Sequence, residues 1–337
     1  MKLALAGATG LVGSTMLRVL EEHHFPVETL MPAASPRSVG SSIQFRGESV
    51  TVQSLEATLA ARPDLALFSA GGDVSREWAP RFAEAGIPVI DNSSAFRLDA
   101  DIPLIVPEVN AHVLKPNDRI IANPNCSTIQ MVVVLDPLNR AFGLRRVVVS
   151  TYQSVTGTGY KAVDQLDAET WNRLHPEQPK TVKRVYPHPI DVNALPHIDS
   201  FLENGYTKEE MKMIRETRKI MELPELAITA TTVRIPVLGG HSESVNAEFR
   251  AIPNLSAVQN ILRTAPGVVL RDDPEENIYP MPVEAQGRDE VFVGRLRLDE
   301  SKENTLNLWI VADNLRKGAA TNAVQIALIL AQKGWIN

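Results

Sequence analysis

Cysteine occurs once in the sequence, at position 126. It sits in the polar run Asn123-Pro124-Asn125-Cys126-Ser127-Thr128, directly before residues 127–138, whose pattern predicts a helix. A thiol at a helix N-terminus is favoured as thiolate, the nucleophilic form. The N–H groups that open such a helix can also steady an oxyanion on a carbonyl bound to the sulfur. The other reading is a small buried hydrophobe, the common state of a free cysteine. His241 follows Arg234-Ile-Pro-Val-Leu-Gly239-Gly240, an apolar strand that ends in a glycine turn. A histidine presented there could relay a proton to a sulfur or a substrate oxygen, or it could simply be packed. Histidines 23, 24, 112, 175, 188 and 197 lack this setting, and no His or acid spacing suggests a metal.

A second constellation opens the chain. Gly7, Gly10 and Gly13 keep the spacing of a dinucleotide fingerprint, after the apolar run 3–6 and before a helix-periodic stretch 11–22. Gly7 permits the tight turn, and Gly10 removes a Cβ where a pyrophosphate would approach. The helix N-terminus beyond supplies unpaired N–H groups and the positive end of its dipole. An NAD-selective site offers an acid on the second strand to hold the ribose hydroxyls. Here the strand 27–31 runs into Pro32-Ala-Ala-Ser35-Pro-Arg37-Ser38-Val-Gly40, which contains no acid. Ser35, Arg37 and Ser38 instead form a hydroxyl, guanidinium and hydroxyl cluster suited to a 2′-phosphate, which points to NADP.

The elements that must position these groups can be read from periodicity. Further apolar strands are expected at 65–69, 89–90 and 120–121, with a helix at 78–85 between two of them. This is the opening of a doubly wound parallel sheet. The character changes near residue 125. A helix at 127–138 is followed by a β-branched strand at 146–153, and Gly157-Thr-Gly159 starts a helix near 160–166. Residues 175–197 hold five prolines and read as an extended excursion, over the surface or into a partner subunit. A helix at 208–221 precedes strands at 227–237, 244–251, 268–271, 291–298 and 305–311, a mixed or antiparallel sheet with helices on one face. A final helix spans 318–333.

The 337 residues are enough for about two domains. Thirty-four Lys and Arg stand against 40 Asp and Glu, a formal charge of −6 that disfavours a non-specific nucleic-acid binder. One cysteine rules out an intrachain disulfide framework. No apolar run reaches the roughly 18 residues of a membrane span. The start of the chain has too short an apolar run for a secretory signal, so a cytoplasmic protein is expected.

Taken together, these residues resemble the aspartate-β-semialdehyde dehydrogenase family across essentially the whole chain. The most specific piece is Asn125-Cys126-Ser127-Thr128 following Gly7-Ala-Thr9-Gly10-Leu11-Val12-Gly13 at this distance. Asp91-Asn92-Ser93-Ser94-Ala95-Phe96-Arg97, Gln153 with Gly157-Thr-Gly159, Glu209-Glu-Met-Lys212, Arg234 with Gly239-Gly240-His241, and Gly318-Ala-Ala-Thr-Asn322-Ala support it. The resemblance implies an α/β Rossmann-type NADP-binding domain, residues 1–124, completed by the C-terminal helix 314–337. It implies an inserted α+β catalytic and dimerisation domain, 125–313, with a mixed, largely antiparallel sheet. The implied reaction is the reversible, NADP- and phosphate-dependent interconversion of L-aspartate 4-semialdehyde and 4-aspartyl phosphate in amino-acid biosynthesis, by a homodimer.

By the same resemblance Cys126 is the nucleophile, a protonated His241 returns a proton, and Gln153 orients the substrate. Arg234 pairs with the α-carboxylate and Glu209 faces the ammonium. Arg97 and Lys212 hold phosphate, with Asn92 and Asn125 nearby. Glu209 and Lys212, three apart on a helix, could equally form an ordinary surface salt bridge. Gly7, Thr9, Gly10, Leu11, Val12, Gly13, Ser69, Ala70, Gly71, Gly72, Gly318 and Asn322 would border the cofactor. The rival enzyme is N-acetyl-γ-glutamyl-phosphate reductase, whose cysteine context differs. A non-catalytic homologue acting as a binding protein is the other alternative, and loss of the cysteine would be its signature.

Overall fold

The computed structural model describes residues 1–336. The backbone divides into two compact units, one formed by residues 1–125 and the segment from Gly318 onward, the other by Cys126–Lys317.

The first unit begins with β1 (Lys2–Ala6), α1 (Leu11–Glu22) and β2 (Thr29–Ala33). The hairpin β3 (Ser42–Phe45) and β4 (Glu48–Thr51) and helix α2 (Leu55–Ala60) follow. Then come β5 (Leu65–Phe68), α3 (Gly72–Glu84), β6 (Val89–Asp91), α4 (Pro107–Asn110) and β7 (Ile120–Ala122). The sheet order is β2-β1-β5-β6-β7, with every pairing parallel. Alternation along β1 sorts its side chains by size. Leu3 and Leu5 join Met16 and Leu20 of α1 and Val324 and Leu330 of the C-terminal helix Thr321–Gln332 in one core layer. Ala4 and Ala6 face the other way, where small residues leave room for Phe68, Trp78 and Phe82. The second strand starts two residues later than its apolar pattern suggests. Hairpin β3–β4, a polar pair with little buried surface, carries too weak an alternation to be read from sequence.

The second unit opens with α5 (Cys126–Phe142), then β8 (Leu144–Gln153), α6 (Tyr160–Leu174), α7 (Lys208–Ile220), β9 (Ala227–Arg234) and β10 (His241–Phe249). It continues with α8 (Leu255–Thr264), β11 (Val268–Leu270), α9 (Pro282–Ala285), β12 (Val291–Leu298) and β13 (Thr305–Ala312). Its six-stranded sheet has the order β11-β12-β13-β10-β8-β9. The end pairs β11/β12 and β8/β9 are parallel and the three inner pairs antiparallel. Val147, Val149, Val245, Ala247, Leu306, Leu308 and Ile310 point to a buried face, and α5, buried almost all round from Ser127 to Leu135, packs on this sheet. Ser150, Tyr152, Ser244, Asn246, Asn307 and Trp309 alternate to the opposite, more accessible face.

The division falls at Asn125/Cys126 and Lys317/Gly318, not at 124/125 and 313/314. Residues 313–316 belong to the second unit because their polar groups are tied there. Asp313 accepts from the Gly287 N–H at 2.8 Å, Asn314 Oδ1 accepts from the Thr156 hydroxyl at 3.0 Å, and Arg316 pairs with Asp289 at 2.8 Å. The proline-rich excursion lies on its own unit. Gln165 Oε1 accepts from the Val185 and Tyr186 N–H groups, Glu169 Oε2 accepts from those of Ile190 and Asp191, and Leu195 bridges to Arg234 in both directions. Among the described residues no helix is long and apolar enough to cross a membrane, and no cluster of metal-ligating side chains is present.

Candidate active site

Cys126 is the first residue of α5 and is half-buried. Gln130 lies one turn along the same helix, about 5.4 Å on, and its Nε2 donates to the His241 carbonyl oxygen at 3.3 Å. The helix turn that carries the thiol is thereby fixed to the strand end that carries the imidazole.

His241 is wholly shielded from solvent. Its Nδ1 accepts the Ser154 backbone N–H at 3.0 Å, and its Nε2 has no hydrogen-bond partner among the described residues. A backbone amide is an obligate donor, so the neutral ring carries its proton on Nε2. Burial holds the imidazole well below its ordinary value, the Arg234 charge adds to this, and the Gly240 carbonyl opposes it. Both effects favour an uncharged ring that presents Nε2–H.

Ser154 serves a second group. Its carbonyl accepts from Arg234 Nη1, while Arg234 Nε is buried with no hydrogen-bond partner among the described residues. Tyr186 from the proline-rich segment lies 5.9 Å from the Arg234 guanidinium carbon, ring centroid to Cζ. Gly157 packs against both functional groups. A Cβ there would stand 3.0 Å from Arg234 Nη1 and 3.3 Å from His241 Nε2.

Gln153, at the end of β8, donates to Thr151 Oγ1 at 3.3 Å and to Glu209 Oε1 at 3.4 Å. Glu209 also pairs with Lys212 Nζ at 3.3 Å, and Lys212 reaches Asp199 at 2.7 Å. The i, i+3 salt bridge thus forms, but with Glu209 buried and bonded to Gln153 it is not a solvated surface pair. The Thr207–Glu210 capping box fixes the start of α7 that presents Glu209.

In the first unit, Arg97 is buried and donates to the carbonyls of Asn123 and Asn92, both at 2.9 Å. Asn123 Nδ2 donates to Asn92 Oδ1 at 2.6 Å. Asp91 holds the loop by accepting from the Ser75 and Ser93 hydroxyls, each at 2.6 Å. Asn125 is buried at the end of this unit, one residue before Cys126. Asn322 is fully buried and spends its amide on Ile105 O at 2.9 Å and Asn123 Oδ1 at 2.7 Å. These two bonds make it a brace for this loop.

The glycine turn fits a dinucleotide. Gly7 has φ +82°, and a Cβ there would stand 2.2 Å from Ser69 O; at Gly13 it would stand 2.2 Å from Gly7 O. At Gly10, the N-cap of α1, the nearest atom would be 3.4 Å away, and no side chain caps the helix. A cavity of about 720 Å³ opens there, bordered by Gly7, Thr9, Gly10, Ser35, Ser69 and Ala70, among others. Leu11, Val12, Gly13, Gly71, Gly72 and Gly318 do not border it; Gly13 works by close packing and Leu11 and Val12 by starting the helix. Arg37 is exposed and Ser38 half-buried in the turn beside Ser35. Trp78 and Ser54 also border the cavity, and neither has a local sequence signal. Sequence reasoning likewise missed Ser154, which acts through its backbone, and Gln130, which the i, i+4 spacing from Cys126 could have flagged.

The chain matches the family described as semialdehyde dehydrogenase, NAD binding domain, over residues 2–116, and semialdehyde dehydrogenase, dimerisation domain, over residues 135–317. It is 54% identical over 340 residues to the aspartate-semialdehyde dehydrogenase of Aquifex aeolicus, covering 99% of each protein. The structure of Vibrio cholerae aspartate semialdehyde dehydrogenase II, complexed with ASA, superposes with a TM-score of 0.94 at 48% identity and covers 98% of each chain. The Candida albicans enzyme with NADP superposes with a TM-score of 0.78 at 25% identity, covering 99% of each. With its cysteine, histidine and arginine in one unit and a glycine-turn cavity in the other, the chain belongs to the aspartate-semialdehyde dehydrogenase family.

Proposed function

We propose that the chain reduces L-4-aspartyl phosphate to L-aspartate 4-semialdehyde and phosphate, reversibly and with NADPH, through a thioester on Cys126. The observation that carries this reading is the Gln130 bond to His241, which fixes a helix-opening thiol to a shielded Nε2–H donor. Ser35, with Arg37 and Ser38, would hold the 2′-phosphate, and Gly7, Thr9, Gly10, Ser69 and Ala70 the rest of the dinucleotide. When bound, the reduced cofactor supplies hydride to the thioester carbon.

The chain's own residues do the remainder. Arg234 receives the α-carboxylate on its free Nε–H, a planar donor set against a planar anion. Glu209 faces the ammonium, with Gln153 beside it. Arg97, Asn92, Asn125 and Lys212 are assigned to phosphate. Cys126 Sγ bonds to the acyl carbon as the carbon–oxygen bond to phosphate breaks, and the thiol proton ends on phosphate. After reduction, the His241 Nε2–H and the first N–H groups of α5 steady the oxyanion of the thiohemiacetal. Its collapse breaks the carbon–sulfur bond and releases the aldehyde and a thiolate. No proton has to leave the imidazole in this direction, which suits a neutral ring. The protein works as a homodimer through the accessible face of its second sheet, and in the cytoplasm, where a sole catalytic thiol stays reduced.

The test is mass spectrometry after mixing the enzyme with aspartyl phosphate and no NADPH. An acyl adduct on the peptide carrying Cys126 is expected, together with phosphate-dependent oxidation of the semialdehyde. Full turnover by Cys126→Ala, or preference for N-acetylglutamate semialdehyde, would overturn the reading.

A further inference from the structure

Gln130 and Glu243 are buried polar side chains that no step above uses. Gln130 shares a helix face with Cys126. Glu243 stands two residues along β10 from His241, so both side chains leave the same face of the sheet. Glu243 is fully buried, and among the described residues neither of its carboxyl oxygens has a hydrogen-bond partner; nor has Gln130 Oε1. The Gln130 amide is the side chain that faces the carboxyl, without closing a direct bond.

The donor inventory closes in one way. A carboxylate and an amide oxygen are both acceptors and cannot satisfy each other. A carboxylic acid can donate to Gln130 Oε1 and receive one Nε2 hydrogen, while the other Nε2 hydrogen stays on the His241 carbonyl. Burial pushes the Glu243 carboxyl well above the usual range, against the opposing contact with Gln130, which favours the acid form that this inventory requires. The next residues on this face are Val245 and Ala247, both buried. A residue serving packing alone would be apolar here, because an under-partnered buried polar group costs stability.

We propose that Glu243 is a positioning residue: it clasps the Gln130 amide, which holds the His241 carbonyl and so fixes the strand end bearing the imidazole to the helix turn bearing Cys126. The inference rests on the roles assigned above to Cys126 and His241.

The experiment compares Glu243→Gln, Glu243→Met, Gln130→Met and the double Met variant as full-length enzymes. Glu243→Gln keeps an amide pair and should hold kcat within about three-fold. Glu243→Met keeps the volume without the bond and should lower kcat about ten- to a hundred-fold, with KM for semialdehyde nearly unchanged, since Arg234 and Glu209 are untouched. Gln130→Met should match it, and the double variant should lose no more than the worse single one, as members of one chain do. A second readout does not depend on turnover. In ¹⁵N-histidine spectra, the His241 ring signals should move in Glu243→Met and stay in Glu243→Gln. Unmoved signals with wild-type kcat in Glu243→Met, or multiplicative losses in the double variant, overturn the proposal. Retained turnover in Cys126→Ala and His241→Ala would instead condemn the catalytic reading, leaving the spectra to judge the clasp alone.

Discussion

Gly157→Ala isolates the geometry of the site with one methyl group. The new Cβ would stand 3.0 Å from Arg234 Nη1 and 3.3 Å from both His241 Cε1 and Nε2. Ordinary contact needs several tenths of an ångström more, so the two functional side chains must yield. Neither is free to do so. His241 is held by the Ser154 N–H and by its place in β10, and Arg234 by the Ser154 carbonyl and the Leu195 bridge. A misplacement of about 1 Å costs roughly a hundred-fold in rate, so a few tenths should cost about ten-fold, near 1.4 kcal/mol of barrier. KM for the semialdehyde should rise as well, because the Arg234 fork moves. Gly205→Ala is the control in the same unit. Gly205 has φ +81° with nothing within 4 Å of a new Cβ, so the substitution should lower stability by about 1–2 kcal/mol through backbone strain and leave kcat alone. The assay is steady-state oxidation of aspartate semialdehyde with phosphate and NADP, beside thermal melts. A Gly157→Ala enzyme within about two-fold of wild type in kcat and KM would refute the placement of Arg234 and His241 at the reacting centre.

Arg37→Ala should weaken NADP about ten-fold and leave NAD nearly unchanged, since one charge-assisted contact to the 2′-phosphate is lost; titration of both cofactors by fluorescence decides it, and equal losses would remove Arg37 from that role. Sedimentation should give about twice the chain mass of 37.0 kDa, and a concentration-independent monomer would refute the dimer. Stability should respond to pH in two opposed ways. His241 binds its proton less readily folded than unfolded, so its contribution is present above the unfolded value of 6.5 and is lost as pH falls below it. Glu243 holds its proton more tightly folded, so its contribution is present below the unfolded value of 4.5 and is lost as pH rises above it. Glu243→Gln removes the second effect, so its melting temperature should gain on wild type as pH rises above 4.5; a constant difference from pH 5 to 8 would refute an acid that stays protonated.

The parts legible in the sequence were those written in short spacings. Gly7, Gly10 and Gly13 could be read because a tight turn, a bare N-cap and a close packing contact each exclude side chains at fixed offsets. Cys126 could be read because its neighbours announce a helix start, and α5 begins at that residue. The strand 291–298 was legible to its ends because Val291-Phe-Val293 opens it and Leu296 and Leu298 alternate with arginines toward its end. The hairpin 42–51 was not, because both its strands are mostly polar and largely exposed. The helix Leu255–Thr264 was also missed, although Asn254 caps it. Its apolar stripe lies between two strands of similar composition.

What sequence could not supply was the state of the groups it named. His241 was legible as a candidate base, but its tautomer is set by the Ser154 amide 87 positions away. Arg234 was legible as a fork, but which of its nitrogens remains open is decided by the carbonyl of that same Ser154. Both contacts use backbone atoms, which every residue type carries, so no side-chain pattern could have announced them. Ser154 lies where β8 ends and the chain turns before Gly157, and this one peptide sets the imidazole tautomer through its N–H and the arginine through its C=O. The consequence for mechanism is concrete. A ring held as an Nε2–H donor steadies the same thiohemiacetal oxyanion whichever way the reaction runs, because both directions pass through it.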